Sequence, residues 1–165
     1  MLRGGECEKD CNMMTTSRLK KKPSPKTRNA FPYFAEVDTR WRDNDRYGHL
    51  NNAIYYELFD SAINGFLLEN NLLNFESDGY LFLVASSGCN FFSEVAYPQK
   101  LQVGIAISRL GNTSITYDLS LFKESANEAS AGGFFVHVCV ERDSYRPSPI
   151  LDSVRATLLD LVVAN

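Results

Sequence analysis

Long apolar runs are missing from this sequence, and no stretch reaches the roughly 18 to 20 residues that a helix needs to span a bilayer. The first thirty residues also lack the apolar segment of a secretory signal. We therefore expect no membrane span and a cytoplasmic protein. A mitochondrial location is the alternative, because residues 13–28 are rich in Ser, Thr and Lys and contain no acid.

Cysteine is scarce, with four residues in 165, and no metal-type pairing of cysteines is present. Cys7 and Cys11 have no second Cys/His pair downstream at zinc spacing. Cys89 and Cys139 lie in strand-like segments. The sequence therefore favours free thiols in a reducing compartment over disulfides or a zinc site.

Positive charge is sparse outside the beginning of the chain. Residues 1–30 carry eight basic and three acidic side chains, a net charge of +5, whereas the whole chain carries −3, which leaves −8 for residues 31–165. An acidic body argues against a nucleic-acid partner. The basic, proline-containing start predicts a disordered tail over residues 1–30, followed by one domain over residues 31–165.

Apolar periodicity predicts an α+β domain. The segment 52–71 has apolar residues at spacings of three and four, as on a broad face of a buried helix. Alternating or apolar runs predict strands, and a short closing helix is predicted at the end. The strands are expected at 34–41, 81–95, 101–110, 114–122 and 133–142, and the helix at 153–163. A long buried helix followed by a meander predicts an antiparallel sheet curved around that helix.

The polar stretch RWRDNDRYGHLNN at 40–52 lies directly before the long helix, and three interpretations compete for it. Asp43, Asp45 and Gly48 fit part of an EF-hand calcium loop, but Ile54 occupies the position of the bidentate glutamate. The aspartates could alternatively cap turns, with neighbouring arginines in solvent. The third interpretation is acyl chemistry at the helix start.

Acyl chemistry fits the order of residues in this stretch. A helix N-terminus offers unpaired N–H groups and a positive dipole end that polarise a carbonyl. A carboxylate just upstream, here Asp45, can attack that carbonyl or deprotonate a water.

The longer stretch DNDRYGHLNNAIYYELFD at 43–60 resembles the signature of hotdog-fold acyl-CoA thioesterases, in the 4-hydroxybenzoyl-CoA thioesterase-like branch. The pattern there is roughly DxDxxGHVNNxxYxxxF(E/D). Weaker similarities follow in the right order at 97–103, 108–114 and 133–138. The resemblance implies a hotdog fold, in which a curved antiparallel sheet wraps around one long central helix. It also implies hydrolysis of an acyl-CoA to a free acid and CoA, with no metal and no other cofactor.

The resemblance also implies roles for matching residues. Asp45 falls on the nucleophile or general base, and the backbone N–H of Asn52 falls where the thioester carbonyl is polarised. Gly48 lets the thioester approach the backbone. Candidates for substrate binding, each with a structural role as the alternative, are His49, Asn51, Tyr55 and, for the CoA phosphates, Arg109.

Partners follow from the same resemblance. Hotdog active sites form between two subunits, so a homodimer or homotetramer acting on acyl-CoA in lipid metabolism is expected. A non-catalytic hotdog module that binds acyl-CoA or lipid is the main alternative. A hotdog dehydratase needs a histidine base, and neither His49 nor His137 lies in a dehydratase-type motif.

Overall fold

One long helix lies against a five-stranded antiparallel sheet in the computed structural model, which describes residues 23–73 and 79–163. This is the α+β architecture with a central helix that the sequence predicts. The elements in chain order are β1 (Tyr33–Asp38), α1 (Asn52–Glu69), β2 (Tyr80–Phe91), β3 (Lys100–Leu110), β4 (Ser114–Lys123), β5 (Ala131–Glu141) and α2 (Asp152–Leu158).

The apolar face of α1 forms the centre of the core. Its seven buried residues follow the predicted spacing of three and four, and they pack on the inner face of the sheet. They are Tyr55, Leu58, Phe59, Ala62, Ile63, Phe66 and Leu67. Burying one large apolar side chain contributes about 1.5–3 kcal/mol, so this face fixes the helix on the sheet. No helix within the described ranges is long and apolar enough to cross a membrane.

The strands follow the order β1-β3-β4-β5-β2 across the sheet. The predicted meander is therefore correct for β3, β4 and β5 but wrong for β2, which pairs with β5 instead of β3. The physical reason is α1, an 18-residue helix between β1 and β2 that carries the chain across the sheet to the opposite edge.

Two predicted strands are longer than the observed ones. β1 ends at Asp38, and Trp41–Asp43 forms a 3-10 turn that is closed when the Asp43 N–H donates to the Arg40 carbonyl (2.9 Å). β2 ends at Phe91 instead of residue 95. The closing helix also stops early, and Leu159–Leu161 continues as a 3-10 turn. Each predicted element extended to an apolar residue beyond the observed end, namely Trp41, Val95 or Val163.

Part of the predicted tail is bound to the outer face of the sheet. Residues 1–22 lie outside the described residues. Arg28 donates hydrogen bonds to the carbonyls of Ala126 (2.8 Å) and Lys123 (3.0 Å) and to Gln102 Oε1 (2.7 Å). Its guanidinium also lies 5.0 Å from the centre of the Phe122 ring. The packed domain therefore begins before Phe31, where the sequence placed its start.

β2 is an edge strand whose outer side has no partner strand among the described residues. It is 12 residues long, and five consecutive residues, 83–87, are exposed. Val84 is 49% exposed even though it is apolar. The helix α1 packs mainly against β1, β3 and β4 and meets β2 near the end of that strand, where the Tyr55 ring contacts Phe91. A long, apolar, uncovered edge is a surface that pairs with another strand.

Tyr117 and His137 are two polar side chains of the core. The Tyr117 hydroxyl and both His137 ring nitrogens are buried without a partner among the described residues. The two rings meet edge to face with centroids 5.2 Å apart. Burial lowers the pKa of His137 to about 4, because a charged imidazolium would lose its hydration there. His137 is thus a core residue rather than part of a catalytic group.

The lowered pKa of His137 predicts acid-sensitive stability. The unfolded chain binds a proton at His137 near pH 6.5, whereas the folded chain does so only near pH 4, so stability is full above 6.5 and falls as pH drops towards 4. Between pH 7.5 and pH 5 we expect a loss of roughly 2 kcal/mol from this group. His137→Leu should lack that component in urea unfolding at the two pH values. Identical pH dependences of the variant and the wild type would contradict it.

Candidate active site

Asp43 is a structural residue of the loop that precedes α1. It is only 2% exposed, and its Oδ2 accepts the Arg40 backbone N–H at 2.7 Å. Its carbonyl accepts the N–H of Asn51 (2.9 Å), which ties the start of the loop to the residue before the helix. We call residues 43–51 the Asp45 loop. Asp43 therefore shapes the loop from inside and is unavailable to a substrate.

Asp45 is held by the backbone of its own loop. Its Oδ1 accepts the N–H groups of Tyr47 (2.8 Å) and His49 (3.2 Å), and its N–H donates to the His49 carbonyl (2.8 Å). No hydrogen bond to Oδ2 is found within the described ranges, and the side chain is partly exposed. One carboxylate oxygen is thus fixed in place while the other remains available for chemistry.

Gly48 allows the turn that follows Asp45. Its φ of +84° lies in the left-handed region, and its N–H donates to the Asp45 carbonyl at 3.2 Å. A Cβ at this position would meet no atom within 4 Å. The requirement for glycine is therefore conformational, and the space beside the backbone is open, as the predicted close approach of a substrate needs.

Gly48→Ala should cost about 1–2 kcal/mol, because alanine is strained in the left-handed region while the added methyl group meets no neighbour. Gly48→Asn is the matched comparison, since asparagine tolerates this conformation better. Thermal unfolding should rank the wild type above Asn and Asn above Ala. Equal stabilities of the two variants would show that the backbone angle is not what requires glycine.

The N-terminus of α1 presents the backbone N–H of Asn52. Asn51 is the N-cap, and its side-chain oxygen accepts the N–H of Ala53 (3.0 Å) while its carbonyl accepts that of Ile54 (2.9 Å). The N–H of Asn52 has no hydrogen-bond partner in the described part of the chain. A free N–H at the positive end of a helix dipole is suited to bind an oxyanion.

Tyr55, Cys89 and Phe91 form an apolar wall beside the loop. The Tyr55 ring packs edge to face on Phe91 with centroids 4.9 Å apart. Burial, and then the proximity of Cys89 and Asp45, raise the pKa of Tyr55 to about 12. Burial raises the pKa of the Cys89 thiol to about 11, so this thiol is protonated and unreactive near neutral pH. The sequence did not single out Phe91. The predicted strand covered residues 81–95, so Phe91 was an interior strand position with no sign that it lies beside the loop.

The segment after β2 is bound to the Asp45 loop. Leu50 N–H donates to the Val95 carbonyl (2.7 Å), and the Asn44 side chain accepts the N–H of Tyr97 (3.0 Å). His49 Nε2 lies 3.4 Å from Glu94 Oε2, but both side chains are exposed, so this contact is weak. Asn44 lies between Asp43 and Asp45 and was not a predicted site residue. Its side chain joins the two segments.

Arg109 lies apart from the other predicted site residues. Asp38, near the start of the Asp45 loop, pairs with Lys100 at one end of β3, while Arg109 pairs with Thr116 near the other end. At about 3.3 Å per residue the two ends of β3 are roughly 30 Å apart. Within one chain Arg109 is therefore remote from the Asp45 loop, and its role in substrate binding stays a prediction.

A single chain does not enclose the candidate site. Two surface cavities, of about 430 and 490 Å³, lie on the outer face of the sheet and between β1 and α1, and no residue of the Asp45 loop lines either. Within the described ranges, no group of three or more His, Cys, Asp or Glu side chains is placed to hold a metal ion. The site is therefore an open junction of loop and helix.

Comparison with known proteins agrees with this architecture. The family model of the Thioesterase-like superfamily matches residues 39–158. Protein YsmA of Bacillus subtilis (strain 168), which is uncharacterized, is 25% identical over 137 residues, covering 83% of this chain and 92% of that protein.

Solved structures are similar over most of the chain. The PA5185 protein from Pseudomonas aeruginosa strain PAO1 is 43% identical, with a TM-score of 0.83 over 86% of this chain and 99% of that one. A thioesterase from Thermus thermophilus, complexed with coenzyme A and Zn, is 25% identical, with a TM-score of 0.65 over 80% of this chain and 95% of that one. The chain therefore belongs to the thioesterase-like superfamily and has the hotdog fold that its sequence predicts.

Proposed function

We propose that the protein hydrolyses an acyl-CoA thioester at the junction of the Asp45 loop and α1. The observation that carries this proposal is a pair of groups that have no hydrogen-bond partner among the described residues and lie at the two ends of one hydrogen-bonded loop. They are Asp45 Oδ2 and the Asn52 N–H. A carboxylate oxygen and an oxyanion donor are what hydrolysis of an acyl group requires.

The proposed reaction begins with the thioester carbonyl oxygen on the Asn52 N–H. Asp45 Oδ2 then attacks the carbonyl carbon, the C–S bond breaks and CoA leaves as a thiolate, and water hydrolyses the acyl–aspartyl anhydride. Alternatively Asp45 takes a proton from a water that attacks the same carbon. Either path places negative charge on the carbonyl oxygen, where one donor contributes about 10²–10³ in rate.

CoA as the carrier is supported by two similarities. The motif at 43–60 resembles the 4-hydroxybenzoyl-CoA thioesterase-like branch, and the Thermus thermophilus thioesterase of the same fold was solved with coenzyme A. The chemistry proposed for Asp45 and Asn52 acts on the thioester itself, so it does not limit the acyl group.

We also propose that the enzyme is at least a dimer joined through β2. The unpaired edge of β2 and its exposed residues 83–87 would both be covered by a second copy related by a twofold axis. Antiparallel pairing of two β2 strands places the far end of the partner's sheet beside the Asp45 loop. That arrangement is also the one in which Arg109 of the other chain approaches the CoA end of the substrate.

The proposed reaction is tested by the fate of oxygen from water. Acyl-CoA incubated with the enzyme in H₂¹⁸O should give equal amounts of free thiol and carboxylic acid, with ¹⁸O in the acid after many turnovers. Mass spectrometry of the acid measures the label. Transfer of the acyl group to another acceptor, without labelled acid, would contradict hydrolysis.

A further inference from the structure

The edge of the sheet opposite β2 is formed by β1, which pairs with β3 on one side. No strand pairs with its other side within the described ranges. There a groove of about 490 Å³ separates β1 from α1. It is lined by all six residues of β1 and by one stripe of the helix that includes Leu58, Ser61, Ala62, Gly65 and Phe66. We call this space the β1 groove.

The free edge of β1 presents backbone groups that another strand can satisfy. In an antiparallel ladder an edge strand directs the N–H and C=O groups of alternate residues away from its neighbour. Along Tyr33–Asp38 these groups belong to about three residues, and they face the β1 groove. A small apolar ligand would leave these groups without partners, whereas an extended peptide pairs with them.

The side chains of β1 alternate between an apolar and an acidic face. Tyr33, Ala35 and Val37 pack against the core below α1 and are only half-buried. Glu36 and Asp38 lie on the opposite face and are exposed. An added strand therefore meets apolar side chains on its inner side and carboxylates on its outer side.

The rim of the β1 groove is acidic. Glu36, Asp38 and Glu69 line it, and Arg40 is the single basic side chain among the described residues that do so. Arg40 is already paired with Glu57 at 2.9 Å. Opposite charges on neighbouring strands stabilise their pairing, so the β1 groove is complementary to a strand with Lys or Arg on its outer side.

A second copy of β1 lacks that complementarity. Antiparallel pairing of two β1 strands that keeps the apolar residues on the inner face brings the acids of the two copies together. Glu36 and Asp38 of one copy then lie directly opposite or diagonal to those of the other. Like charges oppose this pairing, so we expect the β1 groove to stay open when subunits assemble through β2.

Gly65 keeps space open on the helix side of the groove. Glycine in the interior of a helix is less stable than alanine, and the backbone of Gly65 is not in the left-handed region that favours glycine. A Cβ there would meet no atom within 4 Å, so no neighbour within the described chain requires glycine. A side chain at this position would instead occupy the space through which an added strand passes.

Two exposed contacts span the ends of the groove. The Tyr33 hydroxyl donates to Glu69 Oε2 (3.0 Å) at one end, and the pair of Arg40 with Glu57 lies at the other. Contacts between exposed side chains contribute little to stability, so both can open for an entering strand at small cost.

We propose that the β1 groove binds an extended segment of a partner protein, with alternating basic and apolar residues, as a sixth strand. The apolar side chains of that segment face the core side of β1, and its basic side chains meet Glu36 and Asp38. Its backbone passes close to Gly65. No residue of the Asp45 loop lines the groove, so a bound partner leaves the proposed thioester site open.

A synthetic peptide of alternating lysine and valine, with blocked ends and the six-residue length of β1, is the probe. Calorimetry should show that it binds the wild type. Glu36→Gln/Asp38→Asn should weaken that binding about three- to thirtyfold, as the loss of two cross-strand charge pairs does. Glu128→Gln/Asp143→Asn is the matched control, because it removes two exposed carboxylates from the turns after β4 and β5, and it should bind like the wild type.

Gly65→Leu tests the position of the peptide. The leucine side chain should fill the groove and abolish binding, while thermal unfolding stays at or above that of the wild type because leucine favours the helix. Hydrogen exchange should show protection of β1 amides by the peptide in the wild type and none in this variant. The same peptide with N-methyl groups on alternate residues loses the backbone donors of one edge, and of its two forms one should not bind.

Four outcomes would overturn the assignment. Binding to Gly65→Leu equal to that of the wild type would place the peptide elsewhere, and equal weakening in both double variants would indicate attraction to net charge alone. No binding of the peptide to the wild type would show that the edge does not accept a strand. A smaller oligomer of Gly65→Leu in sedimentation would make the β1 groove an interface between copies of this chain.

Discussion

Asp45→Asn is expected to lower kcat by about 10²–10⁴-fold while leaving the fold and the oligomer intact. The amide keeps an oxygen that can accept the N–H groups of Tyr47 and His49, so the loop retains its hydrogen bonds. What it loses is the second carboxylate oxygen as nucleophile or base. Steady-state kinetics and thermal unfolding of the same preparation measure both effects. Turnover equal to the wild type would show that Asp45 is not the catalytic group.

Asp43→Asn is the matched control for that result. Asp43 is buried and its carboxylate accepts the Arg40 backbone N–H. Its replacement should therefore lower the unfolding temperature while leaving kcat close to that of the wild type. The two variants thus separate the readouts, with kcat reporting on Asp45 and stability reporting on Asp43. A loss of kcat in Asp43→Asn as large as that in Asp45→Asn would mean that the catalytic aspartate was assigned wrongly.

Val84→Lys is expected to separate the subunits and to lower activity by about tenfold or more. Val84 is exposed on the edge strand, where the proposed dimer buries it, and a buried lysine without a partner opposes association. Sedimentation should show a monomer for the variant and a dimer or tetramer for the wild type. Specific activity of the variant should rise with protein concentration as the subunits reassociate.

Leu159→Lys is the control for the edge-strand experiment. Leu159 is also an exposed apolar residue, but it lies in the 3-10 turn after α2 and not on β2. It should leave the oligomer and the activity unchanged. If Val84→Lys stays assembled, or if its monomer is fully active, the proposal of a dimer through β2 is wrong.

The helix and the geometry of the loop were predictable from the sequence because both depend on local patterns. Apolar spacing defined the buried face of α1, and the polar stretch at 40–52 gave Asp45, Gly48 and the helix start. Hydrogen bonds within a few residues of one another then fix this geometry. Residues that are close in the sequence are therefore also the ones that contact one another in this loop.

The position of β2 was not predictable, because pairing between distant strands leaves no local signal. The composition of β2 is compatible with pairing to β3 or to β5. The pairing with β5 arises because the 18-residue helix α1 carries the chain from β1 to the opposite edge of the sheet. The same limit applies to Arg109, which the sequence made a candidate for binding the CoA phosphates and which the sheet register places at the other end of β3. Arg28 was assigned to the tail by composition, although its hydrogen bonds join it to the sheet.

Release of free CoA across a panel of acyl-CoAs tests the central claim most directly. The panel spans short, medium, long-chain and aromatic acyl groups, and a thiol reagent detects the CoA released by the wild-type oligomer. We predict turnover on one class of acyl group, which would establish the reaction and the substrate class together. Tight binding of acyl-CoA without release of thiol from any member would contradict the account and indicate a binding module of the same fold.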